Sequence, residues 1–344
     1  MERNSSFNRC LYMINDQRVF IRIILLRVLT GMQHRKDLLP RTFLVIAMAL
    51  WAGSFIALKL AFEAYDPMVV IFARMAVAGA CFLLIAGRLN GNAVKKEDLK
   101  YLALLVLCEP CLYFLFETHA VRNTTASQAG MVTAMLPLMV AVAASIVLHE
   151  NVTRRTLAGF FMAIAGVVLL SATGGSSDNA PNQALGNFLE FIAMVCAVGY
   201  SITLKKLTAR YSPLFLTALQ SFAGTLFYLP FLLLPGTEMP GEFSLVPTLS
   251  ILYLGIFVTM GAYGLYNYGV SRMPASQASA FVNLIPVFTV FLGWLILGEE
   301  FTPVQYGAAA LVFAGVFISQ ERPKDSSVED EPLRPEIDND VLAG

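Results

Sequence analysis

The stretch ASQASAFVNLIPVFTVFLGWLILGEEFTPVQYGAAALVFAGVFIS, residues 275–319, holds two apolar runs at about 275–297 and 303–319, parted by 298–302. A helix needs roughly 17–25 mostly apolar residues to cross about 30 Å of hydrocarbon, so the stretch reads as a membrane hairpin. Slid back by 149 residues, it lands on a second copy. Residues 125–168 align with 274–317 without a gap, and eleven of those 44 positions are identical. The identities cluster. Ala126-Ser127-Gln128-Ala129 returns as Ala275-Ser276-Gln277-Ala278, Pro137 as Pro286, Glu150 as Glu299, and Ala165-Gly166-Val167 as Ala314-Gly315-Val316.

Upstream, an offset of 146 sets Gly53, Lys59, Tyr65 and Pro67 against Gly199, Lys205, Tyr211 and Pro213, so each half of the chain is one unit. Ten apolar runs follow: 42–62, 67–87, 99–119, 125–148, 156–172, 186–206, 212–234, 249–270, 275–297 and 303–319. Five per unit is an odd number, so the second copy enters the membrane from the opposite side. The expected fold is an all-α polytopic membrane protein of ten transmembrane helices, built as two inverted five-helix repeats, the plan of many secondary transporters.

The loops carry the matching charge alternation. Basic residues fill the second loop (Arg88, Lys95, Lys96, Lys100), the fourth (Arg154, Arg155), the sixth (Lys205, Lys206, Arg210) and the eighth (Arg272). The loops at 63–66, 173–184, 236–247 and 298–302 have none, and the third has only Arg122. Positively charged loops stay cytoplasmic, so both termini are expected inside. Residues 1–41 then form a basic cytoplasmic segment, 42–172 the first repeat, 173–185 an external linker, 186–319 the second repeat, and 320–344 an acidic, solvated tail. Within the first segment, 19–29 is apolar but broken by Arg22 and Arg27. It is either an amphipathic helix on the inner leaflet or translation ahead of a start at Met32.

Composition agrees with a bilayer protein. Hydrophobic residues make up 57% of the 344 and charged residues 14%, where soluble domains carry about 25% charge. The formal net charge is zero, which gives no electrostatic reason for a nucleic-acid partner. The expected partners are a small-molecule solute and the lipid bilayer, with no cofactor. GxSxG, GxxxxGK[ST] and HExxH are all missing from the sequence, which leaves no nucleotide-driven pump in this chain. Cys108 and Cys111 have a redox-motif spacing but lie inside an apolar run without a βαβ context.

Charges at bilayer depth are costly, about 2.5–3.5 kcal/mol on insertion scales, and usually face a cavity or a partner. The candidates for substrate binding or coupling are Glu109, Tyr113, Glu117, Arg74, Glu190, Tyr263, Asn267 and Asn283. Glu109 is either a carboxylate that takes up and releases a proton during transport or the structural partner of Arg74. Pro110 beside it removes a backbone donor, which either kinks the helix or opens its backbone to a site. Glu109, Tyr113 and Glu117 are spaced i, i+4, i+8 along one helix face, and Tyr263 and Asn267 are spaced i, i+4 on the inverted counterpart. Aromatics and amides converging at the midplane suit a small zwitterion or an aromatic solute. Gln128 and Gln277 are expected to cap helices or bond across the pseudo-axis, and Ala141/Ser145 and Ala310/Ala314 to make close helix contacts.

The segment from Ala275, together with WAGSFIALK at 51–59, resembles the EamA-like proteins of the drug/metabolite transporter superfamily over about 42–319. The resemblance implies ten helices in two EamA units. It also implies movement of small metabolites, often amino acids or related compounds, outward across a bacterial inner membrane. It rests mainly on packing and turn positions, so it bears more on the fold than on the solute. His149 stands where that pattern commonly has a small residue. Two rival functions remain: an integral-membrane enzyme on a lipid-linked substrate, which needs a His or Asp cluster at one membrane face, and a membrane scaffold or receptor working through its tails.

Overall fold

The computed structural model describes residues 38–88, 94–148, 154–173, 177, 179–273 and 275–319. The readings of Met32, the 19–29 segment, His149, Glu150 and the acidic tail lie outside those residues. Within them the chain is helical, with no strand. Eight helices are long and apolar enough to cross a bilayer: α1 (Leu38–Phe62), α2 (Pro67–Leu84), α3 (Lys96–Asn123), α4 (Ala126–Ala143), α6 (Gln183–Leu207), α7 (Pro213–Leu233), α8 (Leu245–Arg272) and α9 (Gln277–Leu297). Two further helices, α5 (Arg154–Ala172) and α10 (Pro303–Ser319), have shorter apolar cores. α1, α3 and α8 each begin a few residues earlier than the apolar runs suggest, and in α3 the added turn, Lys96-Glu97-Asp98, is polar.

Helix starts repeat between the halves as the sequence does. Asp66 accepts from the Met68 amide at 2.8 Å and Pro67 opens α2; Ser212 accepts from the Phe215 amide at 3.2 Å and Pro213 opens α7. A short polar acceptor followed by proline is a start device in which the missing N–H costs nothing. Pro137 and Pro286 act alike: each is preceded by one tight 3-10 turn, Thr133–Met135 in α4 and Phe281–Asn283 in α9. A mid-helix proline clashes with the carbonyl four residues back, and the local tightening absorbs it.

α5 and α10 lie along one another through glycine. A Cβ on Gly166 would sit 2.7 Å from a Val312 methyl and 2.9 Å from the Ala308 carbonyl, and one on Gly315 would sit 2.6 Å from the Gly159 carbonyl and 2.8 Å from the Ala163 amide. Each contact is the other displaced by the same 149 residues. Small residues allow this approach, and dispersion between close backbones holds membrane helices together. The expected contact at Ala310 and Ala314 is not the one used. Both alanines are exposed, because the helix turns the Ala308, Val312 and Gly315 side toward its partner.

Two polar ties join the halves at opposite ends. Glu299, after α9, accepts from the Ala126 and Ser127 amides at 2.8 Å each, and so neutralises the start of α4. At the other end Arg210 donates to Asp98 at 2.9 Å, and the Tyr211 hydroxyl donates to the same carboxylate at 3.0 Å. Large apolar side chains point outward in number, among them Leu84, Leu233 and Phe317, each more than three-quarters exposed. Water would oppose such a surface; hydrocarbon accepts it.

Candidate functional site

α3 breaks at Glu109. The residue before a proline is pushed toward extended backbone, and Glu109 takes φ −152° and ψ 118° inside a wide turn over Leu107–Leu112. The break exposes carbonyls that a regular helix would satisfy internally, and α7 supplies the donors. The Gln220 amide donates to the Glu109 carbonyl at 2.9 Å, and the Tyr228 hydroxyl donates to the carbonyls of Pro110, at 3.1 Å, and Cys111. The counterpart helix α8 carries a longer wide turn, Tyr253–Ala262. These two wide turns therefore lie on the third helix of each repeat, and a further one, Gly293–Leu297, ends α9.

The break also aims the Glu109 side chain. It enters a central cavity of about 40 Å³, room for a few waters, and accepts a hydrogen bond from the Tyr263 hydroxyl of α8. Arg74, from α2, reaches the same cavity and is 1% exposed. Its Nη1 lies 3.5 Å from Glu117, its Nε donates to Thr259 at 3.2 Å, and its guanidinium lies 4.0 Å over the Phe114 ring. The Tyr113 hydroxyl donates to the other Glu117 oxygen at 3.1 Å. The expected partnership of Arg74 with Glu109 is therefore corrected: the carboxylate paired with Arg74 is Glu117. Glu117 sits on the regular part of α3 facing α2, whereas the extended backbone at position 109 turns that carboxylate toward α8.

The stripe Glu109, Tyr113 and Glu117 is likewise not a simple i, i+4, i+8 row, since Glu109 has left helical geometry. All three nevertheless line the cavity. Five of the eight sequence candidates thus line one cavity, in two bonded groups: Glu109 with Tyr263, and Glu117 with Tyr113 and Arg74. The other three do not line the cavity. Asn267 accepts from the Tyr200 hydroxyl at 2.5 Å and donates to Thr217 at 2.9 Å, which ties α6, α7 and α8 together. Asn283 keeps an Oδ1 with no partner, and Glu190, fully buried on α6, keeps both carboxylate oxygens without a hydrogen bond.

Gln128 is structural: it donates to Gln183 at 2.5 Å and accepts from Asn187 at 2.7 Å, while its repeat equivalent Gln277 is exposed and takes no such role. His119 contacts the Leu115 carbonyl on its own helix, at the exposed end.

Sequence reasoning passed over most of the cavity wall. Trp51, Tyr200 and Tyr266 line it, with Trp51 centred 5.0 Å from Tyr263 and 4.9 Å from Tyr266, and Tyr200 at 6.3 Å from each of those tyrosines. The available signal was modest: Tyr266 follows Tyr263 at helical i, i+3 spacing, and Trp51 is one of only two tryptophans. Trp51 Nε1 is buried without a hydrogen-bond partner, and the Tyr266 hydroxyl sits beside Ser201. No group of three or more His, Cys, Asp or Glu able to hold a metal occurs among the described residues.

The EamA-like transporter family profile matches residues 40–172 and again 184–319. The chain is 28% identical over 296 residues to the uncharacterized transporter YetK of Bacillus subtilis (strain 168), covering 84% of this chain and 89% of that one. It is 27% identical over 282 residues to a probable terminal-alkyne amino-acid exporter of Streptantibioticus cattleyicolor, covering 81% and 92%. An S-adenosylmethionine/S-adenosylhomocysteine transporter of Chlamydia trachomatis serovar L2 is 30% identical over 272 residues, 76% of this chain and 83% of that protein. A solved crystal structure superposes with a TM-score of 0.59 at 18% identity over 82% of this chain and 96% of the other, a likeness of fold.

Proposed function

The chain belongs to the EamA-like transporter family, and on that footing we propose that it carries a small zwitterionic or aromatic organic metabolite through the central cavity, as an exporter or exchanger of a bacterial inner membrane. The relatives that handle an amino acid and S-adenosylmethionine support a solute of that size and polarity. Two inverted five-helix halves, 42–172 and 186–319, would rock about the cavity, with α5 and α10 completing ten spans and both termini cytoplasmic. The reciprocal α5–α10 contact at one fixed offset supports the inverted plan, and the basic-loop alternation supports the orientation.

The observation that carries the reading is Glu109. A backbone break places one carboxylate in an aromatic-walled cavity too small for a metabolite as it stands, so admission of a solute requires the halves to move. In this reading Glu109 takes up a proton on one side and releases it on the other, while Arg74 and Glu117 hold each other in place beneath it. Tyr113 and Tyr263 orient the two carboxylates. Glu190, Asn267 and Asn283 act outside the cavity wall, as parts of the moving helices.

The test is solute flux into proteoliposomes, over a panel of amino acids and drugs, with and without a pH gradient. Glu109→Gln keeps size and hydrogen-bonding capacity but removes titration. Flux driven by the gradient is expected to fall to background while substrate-for-substrate exchange survives. Unchanged gradient-driven flux in that variant would refute the coupling role.

A further inference from the structure

Where α3 starts and α6 stops, far from the cavity, the charges do not balance. The acidic residues beside this junction, Glu97 and Asp98, are both taken by Arg210, at 3.1 and 2.9 Å. Lys205 donates to the carbonyls of Val270 and Met273, at 2.8 Å each. Lys100 of α3 and Lys206 of α6 stay exposed, and neither forms an ion pair among the described residues. They are nevertheless gathered at one point. The Lys206 ammonium lies 3.7 Å from the centre of the Tyr101 ring, and the Lys100 ammonium lies 5.0 Å from the same centre. The ring attracts each cation, but the two cations repel one another, and nothing on the protein supplies their countercharge.

Along both helices the surface next to these lysines turns apolar. Leu104 and Leu107 follow Lys100 at i+4 and i+7 on α3, and Val195 lies three helical turns before Lys206 on α6; all three are close to half exposed. Between them the two helices are in close contact, since a Cβ on Gly199 would sit 2.7 Å from Cys108 Sγ. We propose that this junction binds an anionic phospholipid, with its phosphate between Lys100 and Lys206 and an acyl chain along the Leu104, Leu107 and Val195 face. Basic groups between membrane helices attract anionic headgroups, and the flexible lysine stems let both ammonium groups close on one phosphodiester. The lipid class follows from charge. Phosphatidylglycerol brings a net negative charge, whereas phosphatidylcholine brings its own cation to a place that already holds two. Tyr101, half-buried at the helix end, stands at the level where aromatic rings meet headgroups. Lys100 belongs to the first half of the chain and Lys206 to the second, so the bound lipid bridges the two halves. The proposal needs the chain to lie in a bilayer, and it rests neither on the identity of the solute nor on coupling through Glu109.

Native mass spectrometry of the purified full-length protein tests the site through the dissociation constant of the first bound lipid. The probes are dioleoyl phosphatidylglycerol, dioleoyl phosphatidylcholine and the chain-free headgroup glycerophosphoglycerol. Phosphatidylglycerol is expected to bind at least about tenfold more tightly than phosphatidylcholine, and at least about tenfold more tightly than its own chain-free headgroup. Lys100→Gln combined with Lys206→Gln is expected to bring phosphatidylglycerol down to the affinity of phosphatidylcholine. Both side chains are exposed, and the melting midpoint of this double variant checks that it is folded. Arg154→Gln combined with Arg155→Gln removes the same charge from the exposed start of α5 and is expected to leave phosphatidylglycerol binding where it was. Equal affinity of the unaltered protein for the two lipids, which needs no variant, would overturn the assignment. So would an equal loss in the two double variants, which would mean a diffuse basic surface. Binding of the chain-free headgroup as tightly as the lipid would also overturn it, because the ligand would then be a soluble phosphate ester.

Discussion

The third helix of the first half, α3, and its counterpart in the second, α8, share an architecture and differ in chemistry. Both contain wide turns, Leu107–Leu112 and Tyr253–Ala262, of which the first alone breaks the helix, and both present tyrosines to the cavity. Only α3 carries charge there. With Arg74 on α2, it brings Glu109 and Glu117, so every charged group of the cavity wall comes from the first half, while the second half contributes rings and hydroxyls. Backbone geometry repeats because packing solutions such as Gly166 against Ala308 and Gly315 against Gly159 serve both copies equally. Binding chemistry need not repeat, because a single cavity between two copies has room for one constellation.

The comparison can be broken most sharply at the membrane faces. In the proposed inverted plan, Lys96, in the second loop, and Gly241, in the corresponding loop of the other half, lie on opposite membrane faces. Single cysteines there should respond oppositely to an impermeant thiol reagent in intact cells, with Gly241→Cys labelled and Lys96→Cys protected. Equal labelling would remove the inversion. The next largest effect belongs to the charged half. Arg74→Ala strips Glu117 of its cation and should cost about 3–5 kcal/mol, seen as loss of folded protein after detergent extraction. Adding Glu117→Gln should restore part of the yield, while adding Glu109→Gln should restore less, because Glu109 is not the paired carboxylate.

In the second half the network around Asn267 is neutral, and its loss should be milder. Asn267→Ala removes the acceptor of the Tyr200 hydroxyl and the donor to Thr217, at about 1–3 kcal/mol in a thermal melt. Two glycines of α10 give a matched pair of tests. Gly315→Ala meets a backbone carbonyl and amide, which cannot swing aside, and is expected to cost about 1–3 kcal/mol; Gly307→Ala, with nothing near its Cβ position, should shift the melt by no more than about half a kcal/mol. Similar shifts for the two would mean that α5 and α10 are not in close contact.

Much of this was legible before any coordinates. The apolar runs match helices in the fold, the Asp66-Pro67 and Ser212-Pro213 starts work as their residue types suggest, and Glu109, Tyr113, Glu117, Arg74 and Tyr263 were each singled out by polarity at bilayer depth. Partner choice was not legible. Helical spacing placed Glu109 on the same row as Glu117, yet the proline break, whose local preference is visible but whose direction is not, turned it toward Tyr263. Ala310 and Ala314 showed the right spacing for a contact but sat on the wrong side of α10, because spacing repeats around a helix and only the partner selects a face. Trp51, Tyr200 and Tyr266 escaped notice since an aromatic residue in an apolar run looks the same whether it faces lipid, core or cavity.

The sequence by itself determined the helices, the repeat and the polar residues buried at membrane depth, because hydrophobic length, proline and glycine placement and the cost of a charge in hydrocarbon are local properties of the chain. The tertiary structure decided which of those polar groups meet. Pairing Arg74 with Glu117, freeing Glu109 and closing four rings around it depend on contacts between residues up to about two hundred positions apart, which no local property encodes.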